Sequence, residues 1–322
     1  MRGFLDRLGW ADARQTPLAG DASARRYWRL SEPGRSAILM VDPGGDLALF
    51  ARIANHLSDL GLSAPQIYGM DATQGRMLIE DLGDGLVARL AADAGREKAL
   101  YRTAVDALVQ LHRHPPMAGL ATATPDRLAA MIAPAFTHYA PEAPGLRGLE
   151  EATGVTHDVM AAHAMPCDVM ILRDYHAENI LDLPERSGAA RAGLLDFQDA
   201  MTGHRAYDLA SLIRDARRDL RPGIAQDAVT HYLDHTGLDE APFRAALAAL
   251  SVQRNLRILG IFARLAQSGK PKYLQLIPRV WRHIQTDLDH PACTPLRPVV
   301  AALPHPTQDH LDSLRETRCR TV

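Results

Sequence analysis

An α+β architecture of two lobes is predicted: a small β-rich lobe over residues 1–82, then a larger, mainly helical lobe over residues 83–322. Three observations lead there. Short runs at strand spacing crowd the N-terminal part around one amphipathic helix. After Gly83 the apolar positions recur mostly at helical spacing. The few strand-like runs beyond that point cluster between Val169 and Leu195, each leading into polar or charged residues.

In order, Ala24–Leu30 follows the turn-prone Gly20-Asp21-Ala22-Ser23 and carries Tyr and Trp, which suit a pleated surface. Ala37–Val41 is an apolar run bounded by Gly34 and by Asp42-Pro43-Gly44-Gly45. Leu47, Phe50, Ile53, Ala54, Leu57 and Leu60 recur at helical spacing, and Gly61 closes that helix. Ile67–Met70 and Met77–Ile79 complete a small sheet. In the second lobe Leu100, Ala104, Leu108 and Leu111 share one helical face. Further helices are expected over Asp208–Arg217, Ala228–His235, Phe243–Leu265 and Tyr273–Asp287. Val169–Leu172, Ile180–Leu183 and Ala192–Leu195 read as short buried strands, and the Pro-rich stretch from Pro291 as an irregular tail.

Composition narrows the function. The chain is 47% hydrophobic and 23% charged with net charge −2, so no basic field draws it to nucleic acid or an anionic membrane. Cys167, Cys293 and Cys319 form no CxxC, which excludes a zinc knuckle or a disulfide frame and suits a reducing compartment. No apolar region opens the chain and no run approaches the ~18–20 apolar residues that span a bilayer, so a cytoplasmic location is expected. Basic residues are almost all arginine; the lysines are Lys98, Lys270 and Lys272.

The chemistry gathers in Leu172-Arg173-Asp174-Tyr175-His176-Ala177-Glu178-Asn179-Ile180 and Leu194-Leu195-Asp196-Phe197-Gln198. A strand delivers Asp174 to a loop that also holds Asn179, and a second strand presents Asp196. A carboxylate and a carboxamide oxygen are the hard donors that Mg²⁺ prefers, with its other positions left to water and phosphate. Phosphoryl transfer asks mainly for such positioning and charge neutralisation. Asn179 and Asp196 therefore read as metal ligands, and Asp174 is left to orient an acceptor hydroxyl and take its proton.

This ordered set resembles the catalytic loop and metal-binding Asp of protein kinases. The variant Asp-Tyr-His-Ala-Glu-Asn-Ile, with His176 two residues after the Asp, is closer to the aminoglycoside phosphotransferase family, as is Tyr207-Asp208-Leu209-Ala210. The resemblance implies a protein-kinase-like bilobal fold, ATP and Mg²⁺ as cofactors, and an Asp208 that holds the catalytic loop in shape by hydrogen bonds. His176 reads as a structural hydrogen-bonding residue rather than an acid or base. Where the kinase fold puts its phosphate-covering loop stands Gly20–Arg26, with Ser23, Arg25 and Arg26 as phosphate contacts. The adenine-pairing hinge falls at Ile79–Gly83, near Glu80 and Leu82. The chain departs from the kinase pattern at the strand Lys and its helix Glu: Met40 stands where the Lys would be, and Leu47–Leu60 contains no Glu. Arg25, Arg26 or Arg29 can replace that charge.

Gly20–Tyr27, Glu80-Asp81-Leu82-Gly83, Gln253-Arg254-Asn255-Leu256, Gly260–Leu265 and Gly269–Leu274 together resemble the bacterial N-acetylmuramate/N-acetylglucosamine anomeric kinases of cell-wall recycling, which also lack the strand Lys. What that implies is ATP-dependent phosphorylation of an anomeric hydroxyl, with Arg254 and Arg264 as contacts for an acidic sugar's carboxylate. An aminoglycoside kinase is the alternative, disfavoured by the Arg-rich late helices, which would meet a polycation with like charge. A non-catalytic pseudokinase is the alternative of another class, suggested by the absent Lys and opposed by the intact Asp174, Asn179 and Asp196.

Overall fold

The structure, a computed structural model, describes residues 2–18, 25–141 and 145–316. The chain opens with α1 (Arg2–Arg7), β1 (Arg14–Leu18), β2 (Arg26–Glu32), β3 (Arg35–Val41), α2 (Leu47–Asp59), β4 (Ile67–Asp71) and β5 (Arg76–Glu80). There follow α3 (Val87–Leu90), α4 (Ala94–Leu111), α5 (Pro125–Ala130), α6 (Gly145–His163), β6 (Val169–Ile171), β7 (Ile180–Asp182), β8 (Ala192–Leu194) and β9 (Met201–Gly203). The remainder is helical: α7 (Ala206–Ile213), α8 (Ile224–Thr236), α9 (Glu240–Gln267), α10 (Ile277–Leu288), α11 (Arg297–Ala301) and α12 (Gln308–Glu316). Among the described residues no helix is long and apolar enough to cross a membrane.

Two compact units result, Met1–Met117 with Ala177–Ala200, and Ala118–His176 with Met201–Val322. The first takes in residues 83–117 and 177–200, which the boundary at 82/83 assigns to the helical lobe. Packing explains the difference: α4 lies against the 188–191 turn and β8, and α3 against β7.

In the first unit β1 to β5 form an antiparallel sheet in the order β1-β2-β3-β5-β4, and β7 pairs with β8 in a separate hairpin. Pro17 is tolerated because β1 is an edge strand, where a missing N–H costs no ladder bond. Pairing puts Leu30 opposite Ala37 and Leu39 opposite Leu78. These residues, with Val41, bury against Phe4, Leu5, Trp10 and Ala13 of the N-terminal helix and turn. The opposite parity carries Tyr27, paired with Met40, which pairs with Met77; and Arg29, paired with Ile38, which pairs with Ile79. Met40 is wholly buried on that second face. The predicted crossing helix is α2, whose first turn is capped by Asp46 accepting from the Leu49 N–H at 2.8 Å.

In the second unit α9 is the central column, packed by α7, α10, α6 and the single π-turn at 135–139. Gly260 permits the closest approach: a Cβ there would lie 1.9 Å from the Pro134 carbonyl carbon. The expected irregular tail is instead a 3-10 turn at Pro291–Leu296 followed by α11 and α12. Pro291 and Pro298 stand in first helical turns, where a missing N–H is harmless, and Pro295 is carried inside the short 3-10 turn, so proline density misleads at this point.

Candidate active site

In the second unit, β6 pairs with β9 and ends at Ile171, and Leu172 follows it. Arg173 then adopts φ 71°, a left-handed conformation disfavoured for any residue with a Cβ. What holds it is Asp208, near the start of α7. Its Oδ2 accepts from the Leu172 N–H at 2.6 Å and its Oδ1 from the Arg173 N–H at 2.9 Å. The turn continues with Asp174 N–H donating to the Leu172 carbonyl and His176 N–H to the Asp174 carbonyl. Asp174 is left half-buried. Burial, then the charges of Arg217 and Arg254, holds the His176 pKa well below the usual imidazole range, so His176 is neutral. Its Nε2 accepts from Arg217 Nη1 at 3.2 Å, which leaves the proton on Nδ1.

In the first unit, Asn179 and Asp196 meet at the ends of the β7–β8 hairpin. Asn179 Nδ2 lies 3.5 Å from Asp196 Oδ2, and the Leu195 N–H donates to the Asn179 carbonyl. Asp196 has φ 57° and a side chain 44% exposed. Next to it Phe197 is fully buried against Phe50 of α2, ring centroids 4.9 Å apart, which anchors the strained residue. Gln198 Nε2 donates to Asp196 Oδ1 at 2.9 Å. The donor set fits a hard divalent cation: a carboxylate and a carboxamide oxygen, half-open to solvent, with room for water and phosphate oxygens. Mg²⁺ would be held there by Asp196 and Asn179.

The three arginines of β2 and its approach separate cleanly. Arg25 shares the face of Tyr27 and Met40; its Nε donates to Asp42 at 2.7 Å and its Nη1 lies 3.5 Å from Asp196 Oδ1. Asp42 directly follows β3 and is itself confined, because a Cβ on Gly45 would fall 2.0 Å from its carboxylate. Arg26 points to the opposite face, exposed, over the Trp28 ring at 5.8 Å. Arg29 fastens the segment after β5: Nη1 and Nη2 each donate to Asp84 at 2.9 Å, and Nη2 also to Asp81 at 3.0 Å. In that segment Glu80 pairs with Arg186 and accepts from the Gln66 N–H, while Leu82 is half-buried. Ser23 lies outside the described residues.

Arg254 and Arg264 are not brought together. Both are on α9, but ten residues of helix separate them by about 15 Å. Arg254 is buried and Arg264 exposed, so the two cannot grip one carboxylate. Asp42 and Phe50 in the first unit, and Arg217 in the second, contact predicted site residues or their neighbours without a mark in the sequence; only strand register and packing within each unit bring them in.

Arg25 and Arg26 thus face opposite sides of the sheet, and the consequence is testable. Arg25→Ala is expected to weaken ATP binding by about 1–3 kcal/mol, the worth of a charge-assisted contact. Arg26→Ala, on the far face, should stay within about 0.5 kcal/mol of the parent protein. Calorimetric titration with ATP separates the two; equal losses at both positions would put the phosphates elsewhere.

Comparison with known proteins agrees with this geometry. Residues 14–250 match the phosphotransferase enzyme family. The chain is 35% identical over 91% of its length to an N-acetylmuramate/N-acetylglucosamine kinase of Caulobacter vibrioides, covering 93% of that protein. It is 29% identical over 92% of its length to a kinase of the same name from Pseudomonas aeruginosa, covering 91% of that one. Among solved structures, a choline/ethanolamine kinase family protein from Mesorhizobium loti superposes with TM-score 0.65 at 16% identity, over 98% of this chain and 99% of that one. Aminoglycoside phosphotransferase APH(3'')-Id from Streptomyces rimosus, in complex with ADP and streptomycin, gives TM-score 0.52 at 20% identity over 77% and 96%. The fold is therefore the protein-kinase-like one, and the molecule is an ATP-dependent phosphotransferase. The chain belongs to the phosphotransferase enzyme family.

Proposed function

We propose that this phosphotransferase moves the γ-phosphoryl group of ATP to the anomeric hydroxyl of an N-acetyl amino sugar, N-acetylmuramate or N-acetylglucosamine. The observation that carries the reading is the loop built on Asp208: two backbone N–H groups fixed by one buried carboxylate support the turn from which Asp174 emerges. The curated relatives from Caulobacter vibrioides and Pseudomonas aeruginosa, alike in their names, support the choice of acceptor.

In this reading the Asp174 carboxylate accepts the proton of the sugar hydroxyl as its oxygen attacks the γ-phosphorus and the bond to the ADP oxygen breaks. An anomeric hydroxyl suits a lone carboxylate base, because the ring oxygen withdraws electrons and makes that proton more acidic than an ordinary alcohol's. Asp196 and Asn179 would hold Mg²⁺, which when bound would supply neutralisation of phosphate charge. Arg25, braced by Asp42, supplies the cation that the buried Met40 cannot. Glu80 and Leu82 would offer main-chain groups to adenine.

A coupled assay of ADP release with Mg-ATP tests the acceptor. N-acetylmuramate and N-acetylglucosamine should turn over and give products labile to mild acid, as glycosyl phosphates are. Their methyl glycosides, blocked at the anomeric oxygen, should be inert. A methyl glycoside phosphorylated as fast as the free sugar sinks the anomeric assignment, and a higher kcat/KM for a kanamycin-type compound sinks the amino-sugar one.

A further inference from the structure

Asp174 lies between two points at which its loop is gripped. Upstream, Asp208 near the start of α7 accepts from the Leu172 and Arg173 N–H groups. Downstream stands His176, 5% exposed, whose Nε2 lies 3.2 Å from Arg217 Nη1. The His176 N–H donates to the Asp174 carbonyl at 3.2 Å, so whatever holds His176 bears on the residue that carries the base. Arg217 belongs to the irregular segment that leaves α7, residues 214–219.

That segment is a built support rather than a loose connection. Within it the buried Asp215 closes a turn: its Oδ1 accepts from the Arg217 N–H at 2.8 Å. From outside, α10 fastens it along its length. Arg214 pairs with Asp287 at 2.6 Å, His283 Nε2 lies 3.3 Å from the Asp215 carbonyl oxygen, and Arg279 Nη1 donates to the Ala216 carbonyl at 3.0 Å. Asp219 completes the series, accepting from Arg279 and from Arg282 at 2.9 Å each. The backbone on either side of Arg217 is therefore fixed before its side chain crosses to His176.

We propose that Arg217 is a positioning residue for phosphoryl transfer: its guanidinium holds His176, and through His176 it fixes the downstream half of the loop from which Asp174 projects. The inference rests on Asp174 being the base of the reaction. It gives α7 and the segment after it one joint task, in which Asp208 sets where the loop turns and Arg217 sets where it goes next.

The chemistry of the pair is specific. A guanidinium has only N–H donors and keeps its charge in a protein. His176 Nε2 must then be the acceptor, which requires a neutral ring with its proton on Nδ1. Burial, then the charges of Arg217 and Arg254, keeps the ring neutral, in agreement with that geometry. With one partner ionised the bond is charge-assisted, roughly twice as strong as a neutral one. When Arg217 is removed, the Asp208 grip and the bonds inside the turn remain, so the loop keeps its fold while its far end can drift. A displacement of about 1 Å at a reacting group is enough to cost ~10²-fold in rate. Substrate affinity is not asked of Arg217, so the loss falls on kcat.

The test uses the full chain with Arg217→Met, His176→Leu, the double variant and His176→Gln. It follows kcat and both KM values with N-acetylmuramate and with N-acetylglucosamine. R217M and H176L should each lower kcat about tenfold to a hundredfold, with every KM within about threefold. Because the two residues act as one unit, the double variant should stay within about threefold of the worse single one, whereas independent sites would multiply their losses. H176Q presents an acceptor oxygen near the place of Nε2 and should recover most of the kcat that H176L loses. Multiplied losses in the double variant, or equal kcat in H176Q and H176L, overturn the proposal. So does a rise in KM for N-acetylmuramate alone, which makes Arg217 a contact for that sugar's carboxylate. A readout without substrate keeps this separate from the choice of acceptor: isotope-edited NMR of the histidine ring nitrogens, with the His176 signals assigned by their loss in H176Q. The parent protein should show the neutral Nδ1–H form at His176, and R217M a shift toward Nε2–H. An Nε2–H ring in the parent protein, or an unmoved Nδ1–H ring in R217M, overturns the pairing. If R217M does not fold, H176Q against H176L and the tautomer of the parent ring decide. Failure of both sugars to turn over, with the ring signals as expected, strikes the acceptor assignment and leaves Arg217 in its place.

Discussion

Asp174→Asn is expected to lower kcat by roughly 10²–10⁴ while leaving ATP affinity within about twofold, because only the proton acceptor is removed. The substitution is nearly isosteric, and backbone hydrogen bonds around Asp174 support the loop. The backbone turn is held from below by Asp208, which accepts from Leu172 and Arg173, and from within by the Asp174 and His176 N–H groups donating to loop carbonyls. A carboxamide in the same place can still orient an acceptor hydroxyl, yet it cannot take the proton. His176 offers no substitute base: burial and two arginines keep it neutral, and its Nε2 lone pair is already directed at Arg217. Steady-state kinetics and a nucleotide titration on D174N decide the matter. Turnover near that of the parent protein would remove Asp174 from the chemistry and require a different acceptor for the proton. A collapse of nucleotide affinity instead would mean that the side chain acts in binding.

Much of this could be read from the chain because the groups proposed to carry the chemistry are local in sequence. Asp174 and Asn179 lie on one short loop, and Asp196 and Asp208 follow in a fixed order, each beside a strand end or a helix start. Strand and helix periodicity found α2, β3, β5 and α9 to within about three residues at each end, because each buries apolar positions. What stayed hidden depends on partners distant in sequence. Nothing in Gly20–Tyr27 says that Arg25 and Arg26 point to opposite faces until the pairing of Tyr27 with Met40 and Arg26 with Val41 sets the parity. Asp42 reads as a turn residue before β3 brings it to Arg25. Arg254 reads as a contact for a sugar carboxylate, whereas α9 is the central column of its unit and is buried around most of its circumference between Ala246 and Leu256. Periodicity cannot separate a polar residue on a solvated stripe from a buried one, so the expected grouping of Arg254 with Arg264 carried no information on their different burial.

Asp196→Ala is expected to abolish the gain in ATP affinity that Mg²⁺ provides and to cost more than the 10–100-fold typical of residues that merely support a metal ligand. Three features of its surroundings make the effect large. Asp196 is the single carboxylate of the donor pair, and Asn179 alone offers one neutral oxygen, too little to hold a divalent ion against water. Asp196 is held at φ 57° by the burial of Phe197 against Phe50, so its oxygens are aimed rather than free to wander. Arg25 and Gln198 both reach its Oδ1, so truncation also releases the arginine proposed to meet the phosphates. Asp196→Asn serves as the control: it keeps the shape and the acceptor toward Arg25 but lowers the charge offered to the cation, and it should fall between the parent protein and D196A. Calorimetry of ATP binding with and without Mg²⁺, on both variants, reads the metal-dependent term directly and independently of turnover. Should D196A still bind ATP more tightly in the presence of Mg²⁺ than in its absence, a different set of oxygens holds the ion, and the role of Asp196 reduces to bracing Arg25.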